Sequence, residues 1–184
     1  MNVKNVIISY QKEESENFKR LLEIVEQKKI NLIIVSSCNK IKIENSVNIC
    51  VLWPDKEKLI IENPMNNNSI VCKVCYQNFS ILLTGDIEKI AEEAILRKYK
   101  ENEKILESTI LKVAHHGSKS SSTPKWIDRV NPKMALIGVG ENNLFGHPDQ
   151  EVLDRLMNKK TKIYRTDKDN KIIIKIKRGR VLVG

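Results

Sequence analysis

The sequence predicts a mixed α/β (α+β) fold in one domain, and three observations carry that reading. Apolar runs of strand length alternate with amphipathic segments of helix length. The 184 residues suffice for one sizeable core, and neither a repeat nor a linker divides them. A composition of 41% hydrophobic and 30% charged residues is globular rather than disordered.

Each element follows from local pattern. NVIISY (5–10) reads as a strand, and 13–28 as a helix with Phe18, Leu21, Leu22 and Val25 on one stripe. NLIIVS (31–36) is a short buried strand. KIKI (40–43), VNICVLW (47–53) and KLII (58–61) continue as strands of a β-rich middle, and the Pro and Asn of 62–69 mark a loop. IVCKVCY and FSILLTG form a hairpin around Gln77-Asn78. A helix over 87–100 follows Asp86. The same grammar then repeats: strand 110–114, helix 124–130, strand 134–139, helix 149–158, strand 162–166, and a C-terminal hairpin turning at Gly179. Thr123-Pro124 and Pro148-Asp149 are helix starts.

Charge is concentrated. Residues 159–180 hold ten Lys/Arg and two acids, a balance of +8, while the rest holds 22 bases and 21 acids. In NKIIIKIKRGRVLVG, alternation puts Ile172, Ile174 and Ile176 on one face and Lys171, Lys175 and Lys177 on the other. A lysine-lined face suits a polyphosphate backbone; the same pattern also reads as an edge strand guarded by lysines. Cys72 and Cys75 form a CxxC within a strand, where the thiols point to opposite faces, so with Cys38 and Cys50 they read as free core thiols rather than a zinc knuckle. No apolar run approaches the ~20 residues of a membrane span, and MNVKNVIISYQKEE lacks a signal-peptide h-region. A soluble chain is expected.

The chemistry lies at strand ends. LLTGD delivers Asp86, LKVAHHGS delivers His115 and His116, and the loop GENNLFGHPD delivers His147; these are all three histidines of the chain. If the strands are parallel neighbours, their tips share the edge where α/β sheets bind ligands. Carboxylate with imidazole is a ligand set for Zn²⁺, Mn²⁺ or Fe. Gly117 permits close backbone approach, and Ser118, Lys119 and Ser120 offer groups for phosphate oxygens. Taken singly, Asp86 also reads as a helix N-cap and His147 as a loop-packing residue. Two adjacent imidazoles at a strand end have no evident packing purpose.

LLTGDIEKIAEEAIL, LKVAHHGSKSSS, GVGENNLFGHPDQEVLDRL and KIYRTDKDNKIIIKI, in that order, resemble the metallo-β-lactamase-like domain of the ComEC/Rec2 competence proteins, over about residues 63–177. The resemblance implies a partial αββα sandwich, a metal-dependent phosphodiesterase or nuclease-like hydrolase, and a parent protein at the bacterial membrane that takes up DNA. It implies Asp86, His116 and His147 as catalytic residues and Asp86, His115 and His116 as metal ligands, with either histidine of the pair as the direct one. Enzymes of that fold carry an HxHxDH motif in their N-terminal half, and no histidine precedes His115 here. The expectation is therefore the C-terminal portion of such a domain, binding Zn²⁺ or Mn²⁺ weakly or not at all alone. Its expected partners are DNA, the N-terminal half of the domain or membrane channel segments, and a second copy through exposed apolar faces. The alternative is a non-catalytic DNA-binding or docking module using the basic C-terminal stretch.

Overall fold

The computed structural model describes residues 3–10, 15–44, 46–177 and 179–184. The chain opens with a β-α-β unit. Strand β1 (Asn5–Ser9) and β2 (Asn31–Val35) pair in parallel, joined by α1 (Glu16–Gln27), whose first turn is capped by Ser15 Oγ accepting from the Phe18 N–H. Residues 13 and 14 of the predicted helix lie outside the described residues.

Seven strands then form one mixed sheet in sequence order. β3 (Lys40–Glu44), β4 (Val47–Trp53), β5 (Val71–Tyr76) and β6 (Phe79–Leu83) run antiparallel. β7 (Ile110–Lys112), β8 (Met134–Ile137) and β9 (Lys162–Arg165) are added parallel to β6. The switch from hairpins to crossovers coincides with the helices that parallel connections require: α3 (Lys89–Lys98), α4 (Pro124–Val130) and α5 (Gln150–Asn158). Both predicted helix starts hold. Thr123 Oγ1 accepts from the Trp126 N–H with Pro124 in the first turn, and the Asp149 carboxylate accepts from the Glu151 N–H.

The core lies between this sheet and those helices. Leu82, Leu111 and Ala135 occupy one register row across β6, β7 and β8, and pack with Ile95 of α3, Trp126 of α4 and Leu156 of α5, all fully buried. A short helix α2 (Pro64–Asn67) breaks the predicted loop 62–69, and α6 (Thr166–Asp169) follows β9. Strands β10 (Ile174–Lys177) and β11 (Arg180–Val183) close the chain as a separate antiparallel hairpin, turning at Gly179 with φ +71°. Arg178, part of the basic stretch, lies outside the described residues.

The mixed α/β class is the one the sequence predicts. Of a two-sheet sandwich, the described residues hold one large sheet and two two-stranded pairs. Residues 58–61 are not a strand. The Ile60 backbone is satisfied by a buried side chain instead: Asn68 Oδ1 accepts from the Ile60 N–H, and Asn68 Nδ2 donates to the Ile60 carbonyl. Asp86 is not an N-cap either. The helix starts at Lys89, with Glu88 at the cap position. All four thiols are free, but Cys38 is exposed rather than in the core, while Cys50, Cys72 and Cys75 are half-buried. Burial raises the pKa of Cys72 and Cys75.

Candidate metal centre at the parallel strand ends

Strands β6, β7 and β8 are parallel neighbours, so their C-terminal ends share one edge of the sheet. After β6 the chain turns at Gly85, φ +55°, where the Ser69 side chain stands 2.6 Å from the position a Cβ would take. Asp86 follows, half-exposed, its backbone N–H donating to Ser69 Oγ. After β7 the chain enters a 3₁₀ turn (Ala114–Gly117) that holds three successive left-handed residues: His115 (φ +48°), His116 (φ +55°) and Gly117 (φ +85°). Non-glycine residues at positive φ are costly unless the surroundings hold them. Here the His115 N–H donates to the Gly85 carbonyl and the Gly117 carbonyl accepts from the Asp149 N–H. The histidine turn is thus tied to both flanking loops, and this is why the predicted strand 110–114 stops at Lys112.

The side chains converge. His116 Nε2 lies 3.8 Å from Asp86 Oδ1, and its other nitrogen, Nδ1, contacts the Gly138 carbonyl at 2.5 Å. A carbonyl oxygen only accepts, so Nδ1 carries a proton, and in the neutral ring Nε2 is the nitrogen whose lone pair faces Asp86. The His147 ring meets His115 edge-on at 6.0 Å between centroids, and Phe145 stacks on it at the same centroid distance. Asn143 fixes the His147 backbone twice, accepting from its N–H and donating to its carbonyl. Burial lowers the pKa of His147, with the charges of His115 and His116 adding to the shift and Asp149 opposing it. Lys112 is likewise lowered by burial, against the Asp86 charge.

The structure therefore brings Asp86, His115, His116 and His147 to one edge. Ser118 is buried, its Oγ 3.0 Å from Ser120 Oγ, and Ser120 donates to Glu88. Lys119 is exposed beside them. It lines a groove between α3 and α4 of about 900 Å³ with Lys89, Ser120 and Lys125. Lys175 and Lys177 lie elsewhere, exposed on the terminal hairpin where Ile174 and Ile176 are half-buried, and Lys171, also exposed, precedes that strand.

As a metal site the edge is sparse. Among the described residues no three His, Cys, Asp or Glu side chains cluster closely enough to hold an ion. Donors about 2.0–2.2 Å from one ion stand roughly 3–4 Å apart, so the Asp86–His116 pair at 3.8 Å fits two positions of one coordination shell. The hydrogen bond on the far nitrogen of His116 is the support that metal-binding imidazoles require.

Two carboxylates escaped the sequence reading. Glu88 accepts from Asn63 Nδ2 and Asn67 Nδ2 as well as Ser120, and its Oε1 lies 3.6 Å from His115 Nδ1. Glu92 is fully buried and accepts from the Ser122 and Thr123 N–H groups. The available signal was their spacing: two charged residues one helical turn apart immediately after a candidate ligand.

No family model matches the chain. It is 36% identical over 107 residues to ComE operon protein 3 of Bacillus subtilis, covering 58% of this chain and 13% of that protein. It is 32% identical over 130 residues to competence protein ComA of Neisseria gonorrhoeae, covering 71% of this chain and 18% of that protein. Recombination protein 2 of Haemophilus influenzae is 31% identical over 107 residues, 58% of this chain and 13% of the relative. The chain thus spans less than a fifth of the length of these relatives. A solved structure described as that of a metal-dependent hydrolase from Parabacteroides distasonis aligns at a TM-score of 0.48 and 12% identity, over 88% of this chain and 76% of that one.

Proposed function

Since this chain is a homologue of part of the ComEC/Rec2 competence proteins, we propose that it is the C-terminal portion of a metal-dependent hydrolase domain of the phosphodiesterase or nuclease kind. Its parent is a DNA-uptake protein associated with the bacterial membrane. Among the described residues no helix is long and apolar enough to cross a membrane. The observation that carries the reading is the Asp86–His116 pair, with the histidine's far nitrogen bound to Gly138.

Asp86 and His116 would hold one divalent ion, Zn²⁺ or Mn²⁺, which when bound supplies an activated water and stabilises the leaving oxygen. The chain's own groups do the rest. Gly138 fixes the His116 tautomer so that Nε2 stays a donor to the ion. His147, its pKa lowered by burial and by the charges of His115 and His116, lines the same edge as a proton acceptor. Lys119 and Ser120 stand beside the groove as partners for phosphate oxygens. Further sequence of the same domain is the partner assigned to the β1–β2 pair, which leaves Ile7 and Ile34 39% and 55% exposed.

Two donors are too few for a tight site, because structural affinities need a full shell. Titration calorimetry with Mn²⁺ or Zn²⁺ is expected to give at most one ion per chain, with a Kd weaker than about 10 μM, roughly −7 kcal/mol. Asp86→Ala is expected to abolish it. Tight binding of two ions would overturn the half-site reading, and hydrolysis by the chain alone is expected to be slight.

The exposed lysine face of β10 favours a second reading, a non-catalytic DNA-binding module. In EDTA, DNA binding should weaken with salt, and replacing Lys171, Lys175 and Lys177 together by Ala should reduce the log–log salt slope by about 2–3. An unchanged slope would remove the hairpin from any DNA interface.

A further inference from the structure

We infer that Glu88 is the positioning residue of His115: its carboxylate accepts the Nδ1 proton and leaves Nε2 as the free nitrogen. Four observations carry this. His115 Nδ1 is buried without a hydrogen-bond partner, a condition native proteins rarely leave standing. Glu88 Oε1, 3.6 Å away, stands just beyond hydrogen-bond reach. The carboxylate is itself surrounded by donors, receiving Asn63 Nδ2, Asn67 Nδ2 and Ser120 Oγ, while its backbone N–H is anchored on Asn67 Oδ1. An acceptor so held offers His115 a lone pair and no proton. Finally, the His115 backbone is pinned by its N–H bond to the Gly85 carbonyl, so the ring cannot swing away to another partner by moving the chain.

The consequence is that the two adjacent imidazoles carry the same tautomer from different partners. Gly138 takes the Nδ1 proton of His116, and Glu88 takes that of His115. Both Nε2 lone pairs are then available at the strand edge, one facing Asp86 and the other on the ring that meets His147. Carboxylate-to-imidazole support of this kind orients a ligand and raises its basicity. That last step, from orientation to ion binding, rests on the hydrolase reading; the tautomer itself does not.

The test is long-range ¹⁵N–¹H correlation spectroscopy of the full chain labelled at histidine, in EDTA near pH 8. Three histidines make the spectrum assignable by single substitutions. In the wild type both His115 and His116 are expected to show the Nδ1–H pattern. In Glu88→Ala, His115 is expected to lose it in favour of Nε2–H, while His116 keeps it because the Gly138 carbonyl is intact. A merely structural effect of the variant would move both. Glu88→Asp, which withdraws the carboxylate while keeping its charge, should also release His115 alone. An Nε2–H pattern at His115 in the wild type, or an unchanged pattern in a folded Glu88 variant, overturns the inference; should neither variant fold, the wild-type spectrum decides. No metal or DNA enters the measurement, so this inference can fail while the hydrolase reading stands, and the reverse.

Discussion

Gly117→Ala is expected to destabilise the chain by about 3 kcal/mol, with the unfolding midpoint in urea shifted and its slope unchanged. Two effects add. The residue sits at φ +85°, where an L side chain is strained by about 1 kcal/mol or more. Its new Cβ would stand 2.6 Å from Pro148 Cβ and 3.1 Å from Pro148 Cα, and backbone cannot retreat as a flexible side-chain end can. Overpacking of that kind costs about 1–3 kcal/mol. Gly146→Ala separates the two terms, because Gly146 has φ +68° but nothing within 4 Å of its Cβ position. It should lose only the conformational part, about 1 kcal/mol. Equal losses at the two glycines would show that the contact between the histidine turn and Pro148 is not close in solution. The contact matters for the site, since the Gly117 carbonyl and the Asp149 N–H hold the loop bearing His147 against the turn bearing His115.

The strand ends were legible because apolar runs there stop abruptly at residues with chemistry: Gly85-Asp86, His115-His116 and the loop to His147. What made them one site was the parallel order β6-β7-β8, and helices between the strands implied it. The alternation in Ile174–Lys177 likewise survives as half-buried Ile and exposed Lys. The failures have a common physical origin in polar side chains doing backbone work. Ile60 looked like part of a strand, yet its partners are the amide of Asn68, eight residues on, which no local pattern reveals. Glu88 and Glu92 fall in the segment predicted as a helix over 87–100, where nothing in the local pattern marks either carboxylate as buried. Glu88, at the cap of α3, lies beside His115, and Glu92, one turn on, is buried against the Ser122 and Thr123 N–H groups that precede α4.

Glu92 gives the other large effect. Its carboxylate is the buried acceptor for two backbone N–H groups at the start of α4, Ser122 on Oε1 and Thr123 on Oε2. Arg155 from α5 donates to the Ser121 and Ser122 carbonyls alongside. Glu92→Ala would leave those N–H groups without acceptors in a site closed to water, a loss of about 3 kcal/mol, roughly two unsatisfied donors' worth. The same burial predicts a pH dependence. Desolvation pushes the Glu92 pKa from 4.5 up to about 7, against the opposing pull of the Thr123 and Ser122 N–H groups and Arg155. A raised carboxyl pKa means that the folded chain holds the proton more tightly than the unfolded one. Glu92 therefore contributes most below pH 4.5, and that contribution falls as pH rises to 7, by up to about 3 kcal/mol at 1.36 kcal/mol per unit. His147, lowered by burial, has the opposite sign, losing stability as pH falls below its ordinary value of 6.5. The measurement is accordingly a difference: urea stability from pH 4.5 to 8 for the wild type minus that for Glu92→Gln, which cannot titrate but keeps one acceptor oxygen. The difference should shrink steadily toward high pH. A flat difference would mean that Glu92 is ionised throughout, its two N–H bonds outweighing its burial. The N–H groups of Ser122 and Thr123 would then be held by a charged carboxylate rather than by a neutral carboxyl.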